Sequence, residues 1–193
     1  MNVAPEARGT AAPHVVLETD RLILRWLTFD DARFIFELLN DPSWLRFIGD
    51  KGVKTLDDAR DYIRKGPMAM YERTGFGLYL TELKASRIPI GMCGLIKRDS
   101  LEDVDIGFAF LPAFRTQGYA HEAAAAVLTY GQRNFGLQRI VAITSPDNAR
   151  SAVLLEKLGM KLEKTVKLDG HDHEVVLYAA DFRHVFHLRP TNS

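Results

Sequence analysis

The sequence predicts an α/β (α+β) domain with a mixed, mostly antiparallel sheet of about seven strands flanked by helices. Two observations carry this prediction. Three strand-like runs follow one another with only polar turns between them, which is typical of antiparallel hairpins. Further along, two strand-like runs are separated by a long helical pattern, which requires a right-handed crossover between parallel strands. The expected order of elements is β-α-α-β-β-β-α-β-α-β-β.

The strands are predicted from alternating or β-branched apolar runs that are bounded by polar turns. The first run alternates leucine and tryptophan with arginine, as a strand with one buried face does. Asp169-Gly170 is the expected turn between the last two strands. The predicted strands span residues 21–27, 76–83, 89–97, 103–110, 139–144, 161–168 and 173–180.

Four helices are predicted from start and stop signals. A capping-box spacing, in which a hydroxyl residue precedes an acidic residue by three positions, begins at Thr28 and again at Thr55. Asn40-Asp41-Pro42 should end the first helix, and Gly66-Pro67 should break the second before a further piece that ends near Gly75. The predicted helices span residues 29–39, 56 to at least 64, 117–135 and 148–158.

Composition excludes several classes of protein. With 25 basic and 25 acidic residues the chain lacks the basic excess of a nucleic-acid binder. No apolar run approaches the roughly 18 residues that span a membrane. A single cysteine, Cys93, allows no intrachain disulfide and agrees with a reducing compartment. We expect a cytoplasmic protein with one domain over residues 15–185, a flexible N-terminal tail over 1–14 and a C-terminal tail over 186–193.

The start of the long helix is a candidate phosphate site. A helix start leaves about four backbone amides unpaired and carries roughly half a positive charge. In the loop Arg115-Thr116-Gln117-Gly118-Tyr119-Ala120, Gly118 lets an anion approach the backbone, and Ala120 permits close contact between helix and sheet. Arg115 would add a cation. The same residues also fit an ordinary helix start with a solvated arginine.

The order of elements and the pattern R-x-x-G-x-A at residues 115–120 resemble the GNAT superfamily of acetyltransferases. Three further motifs resemble its RimJ/RimL-type branch, which includes ribosomal-protein N-terminal acetyltransferases. They are ETDRLILR at 18–25, VDIGF at 104–108, and NARS at 148–151 leading to KLGM at 157–160. The resemblance covers about residues 18–182. The chain departs from the branch at Arg115-Thr116, where relatives often have Trp-Gly.

The resemblance implies that acetyl-CoA is the co-substrate, without a metal. It would lie in a V-shaped gap between the strands at 103–110 and 139–144, with its pantetheine arm on the backbone of the first strand. Its pyrophosphate would rest on the amides of Gln117 to Ala120. The cofactor-binding residues so implied are Ile106, Phe108, Phe110, Arg115, Gln117, Gly118, Tyr119, Ala120, Asn148 and Ser151.

Asp105 is the candidate general base. An amine must lose a proton before it attacks a thioester, and a carboxylate acting through water can accept that proton. Asp105 shares its strand face with Gly107 and Ala109, which leaves room beside the carboxylate. GNAT relatives commonly carry a catalytic Glu at this position. The alternatives are a structural carboxylate satisfied by the backbone or by an arginine, and Glu102 as the base.

Asn148 and Ser151 begin the helix after the second cofactor strand. Asn148 either only caps that helix or also contacts the pantetheine arm, as the family's asparagine does. Many relatives protonate the thiolate with a tyrosine that this chain lacks, so Ser151 is the matching donor or only a hydrogen-bond partner of the sulfur. Trp44 and Phe47 lie in the segment that borders the acceptor site in this fold, although core packing explains them equally well.

The sequence therefore predicts an N-acetyltransferase that moves an acetyl group from acetyl-CoA to a primary amine, either a protein N-terminus or a small molecule. One alternative is a protein of the same fold that binds or senses acyl-CoA with little or no transfer. Another is an interaction module without a cofactor. The expected partners are the amine acceptor and a second copy of the chain in a homodimer. Nucleic acid and membrane are not expected. A metal is not expected either, because His171 and His173 alone make no complete metal site.

Overall fold

Eight strands form one mixed sheet in the computed structural model, which describes residues 13–167 and 174–182. The strands are β1 Val15–Glu18, β2 Leu22–Arg25, β3 Leu78–Leu83, β4 Pro89–Ile96, β5 Val104–Phe110, β6 Arg139–Thr144, β7 Lys161–Val166 and β8 Val175–Asp181. Their order across the sheet is β1-β2-β3-β4-β5-β6-β8-β7. Every neighbouring pair is antiparallel except β5 and β6. The predicted mixed, mostly antiparallel architecture is confirmed.

The helices are α1 Ala32–Leu39, α2 Pro42–Phe47, α3 Leu56–Ile63, α4 Ala69–Thr74, α5 Tyr119–Phe135 and α6 Ala149–Lys157. A π-helical segment, Arg64–Met68, joins α3 to α4, and 3₁₀ turns precede α1 and follow β5. Within residues 13–167 and 174–182, no helix is long and apolar enough to cross a membrane.

Both predicted capping boxes are present. At Thr28 the backbone amide donates to Asp31 Oδ2 at 2.8 Å. At Thr55 the amide donates to Asp58 Oδ2 at 2.8 Å, and the Thr55 hydroxyl accepts from the amide of Asp58 at 3.1 Å. Local hydrogen bonding therefore sets both helix starts where the sequence places them.

The sheet has one strand more than the roughly seven expected, because the short β1 is defined by its pairing with β2. Asn40-Asp41-Pro42 ends the first helix as predicted, since α1 ends at Leu39. The sequence did not predict α2, which begins at Pro42: Asp41 Oδ1 accepts from the amide of Ser43 at 3.0 Å, and proline at the first helical position sacrifices no hydrogen bond. One local prediction was wrong. Gly66-Pro67 does not break the helix, since the chain continues through it as the π-helical segment.

Several predictions lie outside the described residues. These are the turn Asp169-Gly170, the pair His171 and His173, and almost all of both terminal tails. The domain limits of 15 and 185 accordingly stay predictions.

The described residues form a core of two large clusters, one on each face of the sheet, and a third, smaller cluster around β6 and β8. Tyr79 and Cys93 point to the side of α5, where they join Ala123, Ala124 and Val127. Their neighbours Leu80 and Met92 point to the other side, where they pack with α1 and α3. This alternation follows from the two-residue period of strands and fixes which residues of β5 face which layer.

The β5–β6 pair opens into a gap. These parallel strands pair only at Val104↔Ile140 and Asp105↔Val141. Beyond that point β5 continues along β4 as far as Phe110, while β6 continues along β8 as far as Thr144. Among the described residues the second half of β5 therefore has no strand on one side, and the V-shaped gap that the family resemblance implies is present.

Candidate active site

A cavity of about 1120 Å³ lies at the gap between β5 and β6. We call its two parts the sheet half and the helix half. The sheet half is lined by residues of β5, of β6, of α6 and of the loop that enters α5. The helix half is lined by residues of α2, of the loop that follows it, of α3, of α4 and of the intervening π-helical segment. Asp105, Gly107 and Ala109, which share one face of β5, line the cavity at the junction of the two halves.

Asp105 is the buried carboxylate at this junction, with 1% of its surface exposed. Its backbone pairs with Ile96 of β4 and with Val141 of β6, so it occupies the last rung before the strands part. Arg98 Nε lies 3.0 and 3.1 Å from its two oxygens. Burial raises the pKa of Asp105 to about 6, although the charge and hydrogen bonds of Arg98 act in the opposite direction. The alternative base, Glu102, is exposed and does not line the cavity.

The small residues after Asp105 keep the cavity open. A Cβ on Gly107 would lie 3.0 Å from Ile96 Cδ1, so that a side chain at this position would crowd the wall. Ile106 and Phe110 point to the opposite layer, as the alternation of the strand predicts, and form part of the α5-side core.

The loop that enters α5 presents unpaired amides. Gly118 is the N-cap of α5 with φ +82°, and Thr116 has φ +62°, so the backbone turns sharply twice. The first hydrogen bond of the helix runs from Glu122 N to Gly118 O at 3.0 Å. The amides of residues 116–121 donate to no other group within the described residues, which suits a bound anion.

The side chains of Gln117 and Tyr119 are turned away from the cavity. Gln117 Nε2 donates to Ala113 O at 2.8 Å, and the Tyr119 ring lies 4.5 Å beneath the guanidinium of Arg21. Only the backbone of these two residues is therefore available to a ligand.

Arg21 is a loop-positioning residue that sequence reasoning missed. Its Nη1 donates to Gln117 O at 3.0 Å and its Nε to Glu122 Oε2 at 2.6 Å. A Cβ on Gly118 would lie 3.2 Å from Arg21 Nη2. Arg21 thus holds the loop from the side of β2, about a hundred residues away in sequence, and no local pattern signals such a contact.

Arg115 does not reach toward the amides of the loop. Its Nη2 pairs with Asp41 Oδ1 at 2.6 Å, its Nη1 donates to Ser43 Oγ at 2.8 Å and its Nε to Phe110 O at 2.8 Å. Burial would raise the pKa of Asp41, but the hydrogen bond and charge of Arg115 outweigh it and lower that pKa. Arg115, which was expected to face a phosphate, therefore links the start of α2 to the end of β5, because its guanidinium is paired with Asp41.

Asn148 is the N-cap of α6, with its Oδ1 accepting from the amide of Ser151 at 3.2 Å. Its Nδ2 and the Ser151 hydroxyl make no hydrogen bond within the part of the chain that the structure describes, and both residues line the sheet half. The cap uses Oδ1 of Asn148 as the acceptor and leaves the N–H groups of Nδ2 available, so the same side chain can cap the helix and donate to a ligand.

Trp44 and Phe47 both line the helix half, on α2. Trp44 is only 6% exposed and packs in the core beside α1 and α3. Its indole Nε1 is buried and has no partner among the described residues. Both expectations for Trp44, core packing and a cavity wall, are thus met by one side chain.

Arg98 was also missed from sequence, although a signal existed. It sits in the turn of the β4–β5 hairpin, seven residues before Asp105, where a basic residue can reach back to the next strand. Within the described residues no group of three or more His, Cys, Asp or Glu is placed to hold a metal.

Comparison with known proteins gives a family. The profile of the acetyltransferase (GNAT) domain matches residues 21–161. An uncharacterized N-acetyltransferase of Bacillus subtilis, YnaD, is 31% identical over 147 residues, which are 76% of this chain and 83% of that protein. The [ribosomal protein uS5]-alanine N-acetyltransferase of Escherichia coli is 28% identical over 180 residues, covering 86% of this chain and 91% of that enzyme.

The fold is also that of a solved RimL structure, a ribosomal L7/L12 α-N-protein acetyltransferase in complex with coenzyme A. The TM-score is 0.74 at 19% identity, over 87% of this chain and 98% of that one.

Proposed function

Because the chain belongs to the GNAT acetyltransferase family, whose members are acetyl-CoA-dependent acyltransferases, we propose that it transfers an acetyl group to a primary amine, either a protein N-terminus or a small molecule. The observation that carries this proposal is the divergence of β5 from β6 directly after Asp105. It gives a single cavity access to a helix start, a free strand edge and a buried carboxylate.

The sheet half suits acetyl-CoA. The unpaired amides of residues 116–121 are the donors for its pyrophosphate, and Gly118 keeps that surface free of a Cβ. The backbone of β5 from Ile106 to Ala109, on the edge that faces the gap, is the donor and acceptor set for the amide groups of the pantetheine arm. Arg150 and Lys157 line the same half and match the negative charge of the phosphates.

Asp105 acts as the general base, through a water molecule. With a pKa of about 6 the carboxylate is ionised at neutral pH and still basic enough to accept a proton. As the amine nitrogen bonds to the acetyl carbon, its proton passes through the water to Asp105, and the carbon–sulfur bond breaks. Arg98 holds the carboxylate in place through its Nε.

Ser151 and Asn148 bind the sulfur of CoA and the pantetheine arm, respectively. Their free donors lie in the sheet half, at the start of α6. The Ser151 hydroxyl donates to the departing thiolate, and Asn148 Nδ2 donates to the pantetheine arm. Trp44 and Phe47 form the wall against which the acceptor binds, on the other side of Asp105.

The test is thiol release from acetyl-CoA in the presence of a panel of amines that includes amino acids, short peptides and polyamines, with mass spectrometry of the products. Amine-dependent release of CoA together with an N-acetylated product supports the proposal. Binding of acetyl-CoA, seen as a thermal shift, without release by any amine would instead indicate a sensor.

A further inference from the structure

We propose that the acceptor amine also carries an anionic group, a carboxylate or a phosphate, and that Lys51 and Arg98 bind this group in the helix half of the cavity. The inference rests on the proposed function, because it names the chemical class of the acceptor.

The helix half has an excess of positive charge. Three cationic side chains line it, Lys51, Lys65 and Arg73, and Arg98 of the β4–β5 turn lines the cavity beside Asp105. Two carboxylates line the cavity, and neither pairs with a lysine there, since Asp41 is paired with Arg115 and Asp105 with Arg98. The whole chain has a formal net charge of zero, so this excess is a local feature of the cavity.

Lys51 is the cation in this set that lacks a partner. Lys65 pairs with Asp61 at 2.7 Å, and Arg73 donates to Lys97 O at 2.9 Å. Lys51, in the loop after α2, forms no ion pair with any residue that the structure describes. Partial burial and, after it, the nearby charge of Arg98 lower the pKa of Lys51, although much of its surface is exposed. An anion placed between Lys51 and Arg98 would relieve this repulsion.

Further donors without acceptors face the same space. Arg98 uses only Nε for Asp105, and its two Nη groups make no hydrogen bond to a described residue. Oxygens of a carboxylate or phosphate are acceptors only, and they match this set of donors.

The charges also bear on the reacting amine. Cations near the acceptor disfavour its ammonium form and so promote the neutral, nucleophilic amine. They equally repel a purely cationic substrate such as a polyamine. An acceptor with its own anionic group offsets this repulsion, which is why the cavity selects for one.

The experiment compares matched acceptors that differ in one charge. Alanine, dialanine and trialanine with a free C-terminal carboxylate are set against their C-terminal amides, and O-phosphoethanolamine against ethanolamine. The kcat/KM of each is measured at saturating acetyl-CoA. We expect at least one anionic member to exceed its neutral partner by tenfold or more, and the two arms distinguish carboxylate from phosphate.

The variant Lys51→Met should lower at least fivefold the ratio of kcat/KM between the anionic and the neutral member of each pair, and Lys51→Arg should restore that ratio. Lys54→Met is the matched control, because Lys54, which is exposed like Lys51, pairs with Asp50 and does not line the cavity. Equal rates for anionic and neutral partners, or a preference that survives in Lys51→Met, would overturn the inference.

Calorimetric titration of the same compounds into CoA-saturated protein separates this inference from the proposed function. If no amine is acetylated but the anionic compounds bind tenfold more tightly in a Lys51-dependent manner, the anion site stands and the proposed function fails. If acetylation proceeds but neither binding nor rate depends on the anionic group, the proposed function stands and the anion site fails.

Discussion

Arg98 Nε lies 3.0 Å from one carboxylate oxygen of Asp105 and 3.1 Å from the other. Burial raises the pKa of Asp105 to about 6, and Arg98 limits that rise. Only the ionised carboxylate can accept a proton. We therefore expect kcat/KM to fall as pH drops through about 6, and to approach a plateau or a second, substrate-dependent rise above it.

Arg98→Met tests the cause of this pH limb. Without the neighbouring positive charge the ionised form of Asp105 is stabilised less relative to its protonated form, so the apparent pKa of the acidic limb should move upward. Arg133→Met, which removes an exposed arginine near the other end of α5, is the control and should leave the limb in place. The pH profile is measured at saturating acetyl-CoA, and an unmoved limb in Arg98→Met would count against Asp105 as the titrating group.

Asp105→Asn should lower kcat by about a hundredfold to ten-thousandfold, the usual contribution of a general base, with the affinity for acetyl-CoA nearly unchanged. The carboxamide keeps the volume of the side chain but cannot accept the proton. Glu102→Gln is the matched control, since Glu102 is exposed and outside the cavity. Near-normal turnover of Asp105→Asn, measured by thiol release, would eliminate the role.

The parts of the site that the sequence predicted are those set by local chemistry. Gly118 and Asn148 mark helix starts, and the alternation of β5 places Asp105 on one face with Gly107, because backbone hydrogen bonding and the strand period act over a few residues. The parallel pairing of β5 and β6 followed from the order of elements, and the gap between them was implied by the resemblance to the GNAT superfamily. Such local features can be predicted from the sequence without knowing which distant residues come into contact.

What could not be predicted depends on distant partners. Arg115 was expected at a phosphate, but Asp41 lies within 2.6 Å and takes its guanidinium. Arg21 reaches the α5 loop from a strand some hundred residues earlier. The strand β1 exists only through its pairing with β2. In each case a tertiary contact decides between local options that the sequence leaves open.

Gly118→Ala should weaken acetyl-CoA binding by about tenfold or more. At φ +82° an alanine is strained, and its Cβ would lie 3.2 Å from Arg21 Nη2, on the surface offered to the pyrophosphate. Gly136→Ala is the control at the opposite end of α5, where φ is +63° and no atom lies within 4 Å of the added Cβ. Both variants should lose stability, but only Gly118→Ala should raise the Kd for acetyl-CoA in calorimetric titration.

Ser151→Ala should lower kcat by about tenfold without loss of stability. The cap of α6 uses the amide of Ser151, so removal of the hydroxyl leaves that bond to Asn148 intact. The variant loses one hydrogen bond to the departing thiolate. A hydrogen bond to a charged group is worth roughly 1.5–3 kcal/mol, which accounts for the lower kcat. Ser86→Ala, in an exposed turn, is the comparison. An intact rate in Ser151→Ala would limit this residue to a structural role.

Arg25→Leu should destabilise the fold by about 3–5 kcal/mol, the usual cost of leaving a buried charge without its partner. Arg25 donates from Nη1 and Nη2 to Asp31 and from Nε to Glu82, and all three residues are at least nine-tenths buried. Glu82 keeps an ion pair with Arg87 at 2.7 Å in the variant, whereas Asp31 loses the ion pair with Arg25 and stays buried. The free energy of unfolding in urea measures the change.

The exposed pair of Arg60 and Asp57 supplies the control, because Arg60→Leu should cost at most about 1 kcal/mol. The double variant Arg25→Leu/Asp31→Leu separates the two contributions. If the penalty comes from the stranded carboxylate, replacing it by an apolar side chain should recover part of the stability. A double variant as unstable as the sum of the single variants would show instead that the ion pair itself stabilises the junction of β2 with α1.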